Sequence, residues 1–314
     1  MVSTPGWARG ARAAGYRVLG PGLAYLLHTR PAEWPIMAAH TALGYILAVG
    51  LDAVGRGERL GSAALGLLAW VVGLNGGTLA INSAFDRDEG DVAYLRDPPP
   101  PPAHLFAFGL ALMAAGFAVA LALPAPFAVA YGICFVLSIL YSVPPFRLKA
   151  VAGADWLINM WGFGTLTPFA GWAATGLPVD PARRLVLLAF CPLFAALYPL
   201  TQLYQMEEDR RRGDRTLALR LGLGRSLGAA TLCAALALAL FLAGGLRAGW
   251  RLHSPDDLAR WGGVILIGAA WAIVLIPWLA GHARLAPVEH QRRMYLALGA
   301  WAVTDVTVAL AWAT

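Results

Sequence analysis

The sequence predicts an all-α polytopic membrane protein, with nine transmembrane helices in a bundle around a central cavity. Hydrophobic residues make up 59% of the 314 residues and charged residues only 13%, against about 25% charged residues in soluble domains. The mean hydropathy is +0.61. Nine apolar segments approach the length of about 20 residues that crosses a bilayer. They are residues 35–53, 61–84, 105–123, 125–142, 156–175, 185–204, 227–246, 262–280 and 294–312.

Two features organise the chain around these segments. Residues 1–33 are basic and glycine-rich, and we expect an interfacial segment there, ahead of a single membrane-embedded domain over residues 34–314. Pro124 and Pro126 separate the third and fourth apolar segments. Because proline interrupts helices, we expect a tight turn between those two spans.

The basic residues predict the orientation of the chain. With nine helices, 17 Lys and Arg residues fall on the face that holds the N-terminus and 7 on the opposite face. Because basic residues collect on the cytoplasmic side, we expect a multi-pass protein of the cell (inner) membrane with its N-terminus in the cytoplasm. The net charge of +6 is then explained by topology and anionic lipid, without nucleic-acid binding. The three cysteines all lie in apolar segments, where neither a disulfide nor a zinc site is expected.

Two acidic segments stand out in this apolar chain. NSAFDRDEGD at 82–91 follows the second apolar segment, and YQMEEDRRRGDRTLALRLG at 204–222 follows the sixth. Carboxylates crowded at a membrane surface repel one another, so they usually hold a cation. Carboxylate oxygens without dedicated His or Cys ligands favour magnesium.

The same polar spacing opens both segments. Asn82 and Asp86 stand at i and i+4 where the second span ends, and Gln205 and Asp209 repeat that spacing where the sixth ends. This spacing puts each pair on one helix face. Because the two spans are four apart in order, we predict two pseudo-repeated four-helix halves with facing acidic ends, followed by one helix. A solvated, self-paired helix end is the alternative for either cluster alone.

A third segment, YSVPPFRLK at 141–149, ends the fourth span on the same predicted face. Its tyrosine and cations fit an aromatic belt with positive-inside residues. They equally fit a diphosphate clamp, in which Lys149 acts as a point charge and Arg147 as a bidentate donor.

Together the three segments resemble the UbiA-type family of intramembrane prenyltransferases. The matching residues are Asn82 and Asp86 with Asp88 or Asp91, then Tyr141, Ser142 and Lys149, then Asp209, Gly213, Thr216 and Leu217. Arg30, in HTRPAEWP, is similar to the family's Arg-Pro start. Ser83 and Gln205 stand where the family has Asp, and Asp91 comes one residue later than the common spacing.

The resemblance implies Mg²⁺-dependent transfer of a prenyl group from a prenyl diphosphate to a lipophilic acceptor, an aromatic quinone precursor or another electron-rich lipid. It implies catalytic roles for Asp86, Asp209, Lys149 and Tyr141, and metal ligation by Asp86, Asp88, Asp91, Glu208 and Asp209. The substrate-binding residues are then Arg30, Asn82, Arg147, Gln205 and Arg215, with Asp155 and Asn159 orienting the acceptor. Membrane lipid surrounds the protein, and neither nucleic acid nor an obligate protein partner is expected.

Four aromatic residues are candidates to shelter an allylic cation, namely Trp161, Phe163, Tyr198 and Tyr204. A terpene cyclase on the same fold shares the ionisation residues and is an alternative. A cation-coupled transporter is less favoured, because transporters place ionisable groups near the bilayer midplane. Here only Asp305 has that position, and no role is assigned to it. Nine apolar spans exclude a soluble trans-prenyl synthase.

Overall fold

The computed structural model describes residues 6–86, 95 and 97–313, with the backbone alone for residues 6–9, 208 and 212. Within these ranges the chain folds almost entirely into helices, which we number in chain order. They are α1 (Gly6–Leu19), α2 (Gly22–His28), α3 (Trp34–Val49), α4 (Leu51–Gly55), α5 (Leu60–Phe85), α6 (Leu105–Ala120), α7 (Ala125–Ser142), α8 (154–173), α9 (Pro181–Gln202), α10 (Met206–Arg212), α11 (Leu217–Leu221), α12 (Leu223–Arg247), α13 (Pro255–Gly281) and α14 (Pro287–Trp312).

The helices confirm the predicted all-α membrane fold. In the described part of the chain, six helical segments are long and apolar enough to cross a bilayer: Leu60–Phe85, Ala125–Ser142, Pro181–Gln202, Leu223–Arg247, Pro255–Arg284 and Pro287–Trp312. Leu105–Ala120 is a shorter apolar helix. The remaining two predicted spans fall on α3 and α8. Every predicted span therefore coincides with a helix, and the chain has the character of a multi-pass membrane protein.

The helix ends differ from the predicted boundaries for local reasons. The first span ends at Val49 rather than 53, because Gly50 adopts φ 83° and the Leu51 amide turns to the Ala313 carbonyl oxygen at 2.9 Å. The sixth span begins four residues early, at Pro181, since the Asp180 carboxylate accepts hydrogen bonds from the first amides of α9. Arg183 and Arg184 had hidden the first turn of α9 in the hydropathy pattern.

The described residues pack into two compact units. Unit 1 comprises residues up to 39 together with 64–146, and unit 2 comprises residues 40–63 and 147 onward. The single domain predicted over residues 34–314 stays a prediction.

In unit 1, glycines bring α5 and α6 into close contact. A Cβ atom on Gly77 would lie 2.7 Å from the Gly109 carbonyl oxygen, and one on Gly73 would lie 2.9 Å from the Gly116 Cα. Small residues at a membrane helix crossing let two backbones approach and gain packing energy. Tyr131 of α7 donates a hydrogen bond to the Met113 carbonyl oxygen at 2.9 Å, which ties α7 to α6.

Unit 2 uses the same device where the second half of α3 crosses α8. A Cβ atom on Gly44 would clash with the Pro168 carbonyl, and one on Gly171 would clash with the Thr41 carbonyl. The middle of α8, Met160–Leu166, is π-helix, as is Leu68–Gly76 within α5. Such segments are rare and occur frequently at functional sites.

A polar pair joins three helices inside unit 2. His40 of α3 places Nδ1 3.0 Å from Asp305 Oδ1 of α14, and its Nε2 lies 3.2 Å from the Gly164 carbonyl oxygen in the π-helical part of α8. A carbonyl oxygen only accepts, so Nε2 donates to Gly164, and Nδ1 is hydrogen-bonded to the Asp305 carboxylate. Asp305, which had no predicted role, therefore secures a π-helical segment through His40.

We expect His40→Leu to lower the free energy of unfolding by about 3 kcal/mol, because removing one partner strands a largely buried carboxylate. The double variant His40→Leu/Asp305→Leu should recover part of that loss, since no charge is then left without its partner. Thermal unfolding of the purified protein in detergent measures both. The free energy lost by the double variant is compared with the sum of the losses of His40→Leu and Asp305→Leu. A loss equal to that sum would show that the two residues are not coupled.

Candidate active site

The first acidic segment begins in unit 1 at the end of α5. Asp86 follows the helix in an extended conformation, and its amide donates to the Asn82 carbonyl oxygen at 2.9 Å. The Asn82 side-chain oxygen accepts a hydrogen bond at 3.1 Å from Ser142, which is fully buried at the end of α7. Half-buried Tyr141 precedes Ser142. The fold thus brings the Asn-Asp pair and the Tyr-Ser pair, 60 residues apart, to one place.

Three predicted metal ligands are not located by the structure. Asp88 and Asp91 lie outside the described residues, and the side chain of Glu208 is not described. Their ligand roles stay predictions.

The N-terminal helices hold the proline-rich loop that follows this segment. Arg12 of α1 donates to the Asp97 carbonyl oxygen at 2.5 Å, and His28 of α2 donates through Nε2 to the Pro99 carbonyl oxygen at 3.0 Å. Burial lowers the pKa of His28, so the neutral ring is favoured there. The five prolines at 98–102 have no backbone N–H to donate, and the next helix, α6, starts only at Leu105.

Arg30 enters unit 1 in a strained conformation. Its φ is 51°, in the left-handed region that non-glycine residues rarely adopt, and only 8% of the residue is exposed. Its Nη1 lies 3.5 Å from Glu33 Oε1. Strain of this kind concentrates at binding and active sites.

The second acidic segment, in unit 2, separates its charges by burial. Asp209 is only 5% exposed, whereas Glu207 is exposed and pairs with Arg210 at 2.6 Å and with Arg211 at 3.5 Å. The solvated, self-paired interpretation is therefore correct for those three residues. Asp209, by contrast, is not solvated, and its predicted role as a metal ligand stays a prediction. Gln205 stands half-buried at the start of α10.

The basic segment before α8 docks on this motif. Arg147 Nη1 lies 3.3 Å from Asp214 Oδ1, and the Arg215 amide donates to the Ala150 carbonyl oxygen at 3.3 Å. Lys149 lies in the short turn between these contacts, half-buried. The structure thus brings the segments that carry Arg147, Lys149 and Arg215 together, and their role as a clamp on a diphosphate stays a prediction. It uses Asp214 to hold the guanidinium of Arg147.

A fully buried carboxylate fixes the backbone beneath the motif. Asp155 at the start of α8 accepts hydrogen bonds from Gly153 N at 2.9 Å, Gln202 Nε2 at 3.0 Å and Leu217 N at 3.4 Å. Gln202 in turn accepts from Ala218 N at 3.4 Å. Asp155 therefore ties α8, α9 and α11 together.

These bonds give Asp155 and Asn159 an internal role. The Asn159 amide donates to the Asp155 carbonyl oxygen at 2.7 Å, and the predicted contact of both residues with the acceptor stays a prediction. Gln202 was missed by sequence reasoning. Its only signal was a polar residue in the last turn of a span, one turn before Gln205.

A cavity of about 640 Å³ adjoins the docked segments in unit 2. Its polar lining residues are Arg210, Arg215, Arg220 and Thr216, together with the single acid Asp214. Such a lining suits an anionic phosphoryl group.

Two of the four predicted aromatic residues belong to one stack in unit 2. Phe163 stacks on Phe194 with ring centroids 5.4 Å apart, and Phe194 meets Tyr198 at 6.3 Å. Tyr204 is half-buried against the core, and Trp161 is 42% exposed.

The chemistry of the located donors fits magnesium. Asn82, Asp86, Gln205 and Asp209 offer oxygen atoms, and neither acidic segment contains His or Cys. Among the described residues, no three His, Cys, Asp or Glu side chains form a ready metal-binding cluster. Asp88, Glu89 and Asp91 all lie in the segment that the structure does not describe.

Comparison with known proteins settles the family. Residues 37–274 match the model of the UbiA prenyltransferase family. This chain belongs to the UbiA prenyltransferase family. The resemblance carried by the three segments is thereby confirmed. The chain is also 31% identical over 235 residues to probable homogentisate phytyltransferase 2, chloroplastic, of Oryza sativa subsp. japonica. That alignment covers 67% of this chain and 62% of the length of the rice protein.

Solved structures of UbiA homologues share the fold. The homologue from Archaeoglobus fulgidus bound to GPP and Mg²⁺ is 20% identical, with a TM-score of 0.67 over 92% of this chain and 98% of that one. The apo homologue from Aeropyrum pernix K1 is 19% identical, with a TM-score of 0.60 over 90% of this chain and 97% of that one.

We expect Asp155→Asn to lower the free energy of unfolding by about 2 kcal/mol, because the amide cannot accept from all three donors with the strength of a charged group. Asp52→Asn, at an exposed carboxylate of α4, is the matched control and should be neutral. Thermal unfolding in detergent compares the two variants with the unchanged protein. Equal stability of Asp155→Asn and the control would mean that the buried carboxylate does not hold the three helices together.

Proposed function

We propose that this protein transfers a prenyl group from a prenyl diphosphate to a lipophilic aromatic acceptor within the membrane, with Mg²⁺ as cofactor. Membership of the UbiA prenyltransferase family supports the reaction class. The observation that carries the proposal is the selective burial of Asp209 among exposed, self-paired charges. A buried carboxylate is costly unless it is paired or coordinates a metal ion, and we propose the second for Asp209.

Each acidic segment has a proposed part in holding the diphosphate. Asp86 and Asp209 are the proposed metal ligands of the two segments, with Asp88, Asp91 and Glu208 as further candidates. Bound magnesium neutralises charge on a leaving diphosphate. Arg147, Lys149 and Arg215 place cationic donors for phosphoryl oxygens, and Asn82 and Gln205 supply neutral oxygens and amide donors.

The proposed reaction breaks one bond and forms another. The allylic C1–O bond of the donor breaks, and its electron pair leaves with the diphosphate, whose growing charge the cationic side chains stabilise. A ring carbon of the acceptor supplies the electron pair for the new carbon–carbon bond. The ring then loses a proton and regains aromaticity. Phe163 and Tyr198 belong to the stack proposed to face the allylic cation.

The acceptor we propose is a hydroxylated aromatic ring of the homogentisate type. The name of the rice relative supports this choice. Hydroxyl groups make a ring electron-rich, which suits attack on an allylic cation. The solved homologue named with GPP supports an allylic prenyl diphosphate as donor.

The central test is turnover of geranyl diphosphate with homogentisate. Asp86→Asn and Asp209→Asn should each lower the rate at least about a hundredfold, the scale of losing one electrostatic stabiliser. Glu207→Gln, at an exposed acid two residues from Asp209, is the matched control and should retain full activity. Product is measured by mass spectrometry of extracted lipids.

Two outcomes of that experiment would overturn the proposal. Full activity of both Asp variants under saturating Mg²⁺ would remove the acidic segments from the reaction. A cyclised product formed equally without homogentisate would identify a terpene cyclase instead.

We propose that the protein lies in the inner cell membrane with both acidic segments in the cytoplasm. A single cysteine at Leu219, in a background without the native cysteines, should react with an impermeant thiol reagent only after the membrane is opened. A cysteine at Arg56, in the predicted opposite loop, should react in intact cells and is the matched control. Labelling of Leu219→Cys from outside would reverse the topology.

A further inference from the structure

His40 and Asp305 form an ionisable pair inside unit 2 that the proposed reaction does not use. His40 is only 3% exposed, and Asp305 lies within the last span. His40 Nδ1 is within 3.1 Å of both carboxylate oxygens of Asp305. Ionisable residues inside a span are costly and commonly have a functional task. The surroundings of the pair indicate what that task is.

The carbonyl oxygen that His40 contacts is left open by the sequence. Pro168 has no N–H, so the carbonyl oxygen of Gly164, four residues earlier, has no α-helical donor. An open carbonyl oxygen in an apolar bundle needs a donor from a neighbouring helix. His40 Nε2 supplies that donor at 3.2 Å. The histidine thereby fixes the backbone of α8 directly after Phe163.

The same imidazole ring also supports the aromatic stack from behind. Phe163 stacks on Phe194, and Trp301 meets Phe194 edge-to-face with ring centroids 5.6 Å apart. His40 in turn meets Trp301 edge-to-face at 4.8 Å. Trp301 is buried, whereas Phe163, Phe194 and Tyr198 are half-buried. His40 therefore holds the stack at two points and leaves its own rings partly accessible.

Close packing determines the position of the imidazole ring. A Cβ atom on Gly164 would clash with the Phe190 carbonyl, so α8 and α9 are in direct contact there. The Phe190 ring meets His40 edge-to-face at 4.9 Å. Asp305 binds Nδ1, and the partner of one ring nitrogen sets the orientation of a histidine whose other nitrogen is engaged. A shift of His40 would therefore be transmitted to Gly164 and to the stack.

We propose that His40, oriented by Asp305, is a positioning residue that keeps the ring face of Phe163 turned toward the allylic cation. The proposal rests on the proposed function, in which this stack faces that cation. An aromatic ring is negative on its face and positive on its edge, and it attracts a cation within about 6 Å of its centroid. A rotated Phe163 would therefore stabilise the cation less and leave binding of the diphosphate unchanged.

The test compares two unreactive analogues of geranyl diphosphate. In the aza analogue a protonated nitrogen replaces C3 and the allylic double bond is absent, so the compound carries the charge of the cation without ionising. The dihydro analogue lacks the same double bond and has no charge on its chain. Calorimetry with Mg²⁺, on the full-length protein in nanodiscs, gives both Kd values. The unchanged protein should bind the aza analogue at least about tenfold more tightly.

Glutamine and asparagine at position 40 separate the two contacts of the histidine. The amide nitrogen of glutamine reaches far enough to replace Nε2 as the donor to Gly164, whereas that of asparagine ends near Nδ1. His40→Asn should therefore lower the preference for the aza analogue at least about fivefold. His40→Gln should keep that preference within about twofold. The Kd for the dihydro analogue should change less than about twofold in both variants.

The matched control is Trp271→Phe, which removes the hydrogen bond from Trp271 Nε1 to Thr304 Oγ1 at 3.1 Å. Thr304 directly precedes Asp305 on α14, so this variant loosens the same helix without touching His40. Thermal unfolding should show a loss of stability, and the preference for the aza analogue should be unchanged. Should His40→Asn fail to fold, His40→Leu/Asp305→Leu takes its place and should likewise lose the preference.

Three results would overturn the positioning role. They are an unchanged preference in His40→Asn, a parallel weakening of both analogues in that variant, or equal binding of both analogues by the unchanged protein. No binding of either analogue with Mg²⁺ would reject the prenyl diphosphate of the proposed function and the positioning role with it. Absence of prenyl transfer with the expected binding pattern would reject the reaction and keep the positioning role.

Discussion

Hydrocarbon offers no hydrogen-bond partner, so every polar group in the apolar part of this protein must be satisfied by the protein itself. Helices meet this requirement for the backbone. Glycine crossings such as Gly77 on Gly109 then bring helices close enough to pack. Where α8 becomes π-helical, the Gly164 carbonyl oxygen accepts from His40, which in turn needs Asp305. Asp305 therefore lies inside a span because it holds His40, which donates to the free carbonyl oxygen of Gly164.

The same requirement organises the second acidic segment. Its backbone is held from below by the Asp155 carboxylate and Gln202, and from the side by the pairing of Arg215 with Ala150. With the backbone fixed, the short helix α10 turns Asp209 inward and leaves Glu207 and its arginine partners in solvent. Position in the fold, and not charge alone, decides which carboxylate of the cluster is buried and which is solvated.

Polar atoms that the protein leaves unsatisfied are informative for the same reason. In unit 1, Thr78, Ser138, Ser142 and Asn82 are linked in pairs by side-chain hydrogen bonds. Some buried side-chain atoms have no hydrogen-bond partner among the described residues, among them Asn75 Nδ2 in unit 1 and Ser226 Oγ in unit 2. Hydrogen bonds between side chains thus connect the helices of unit 1 at the first acidic segment.

The sequence by itself determined the fold class and the family. Length and hydropathy of the apolar segments placed every span on a helix, because burial in hydrocarbon needs about 20 apolar residues wherever a helix crosses. The predicted helix face for the two i, i+4 pairs was wrong, because Asp86 leaves α5 in an extended conformation and Gln205 precedes the separate helix α10. Helix ends were less well predicted, since charged residues and caps such as Asp180 continue helices beyond their apolar cores.

Only the tertiary structure decided how the polar residues are used. Periodicity could not show that Asp209 is buried while Glu207 is solvated, that Asp214 holds Arg147, or that Gln202 anchors Asp155. The two pairs join residues 67 and 47 positions apart in the chain. Burial and pairing are set by contacts between distant segments, whereas composition and spacing record only what a segment does alone.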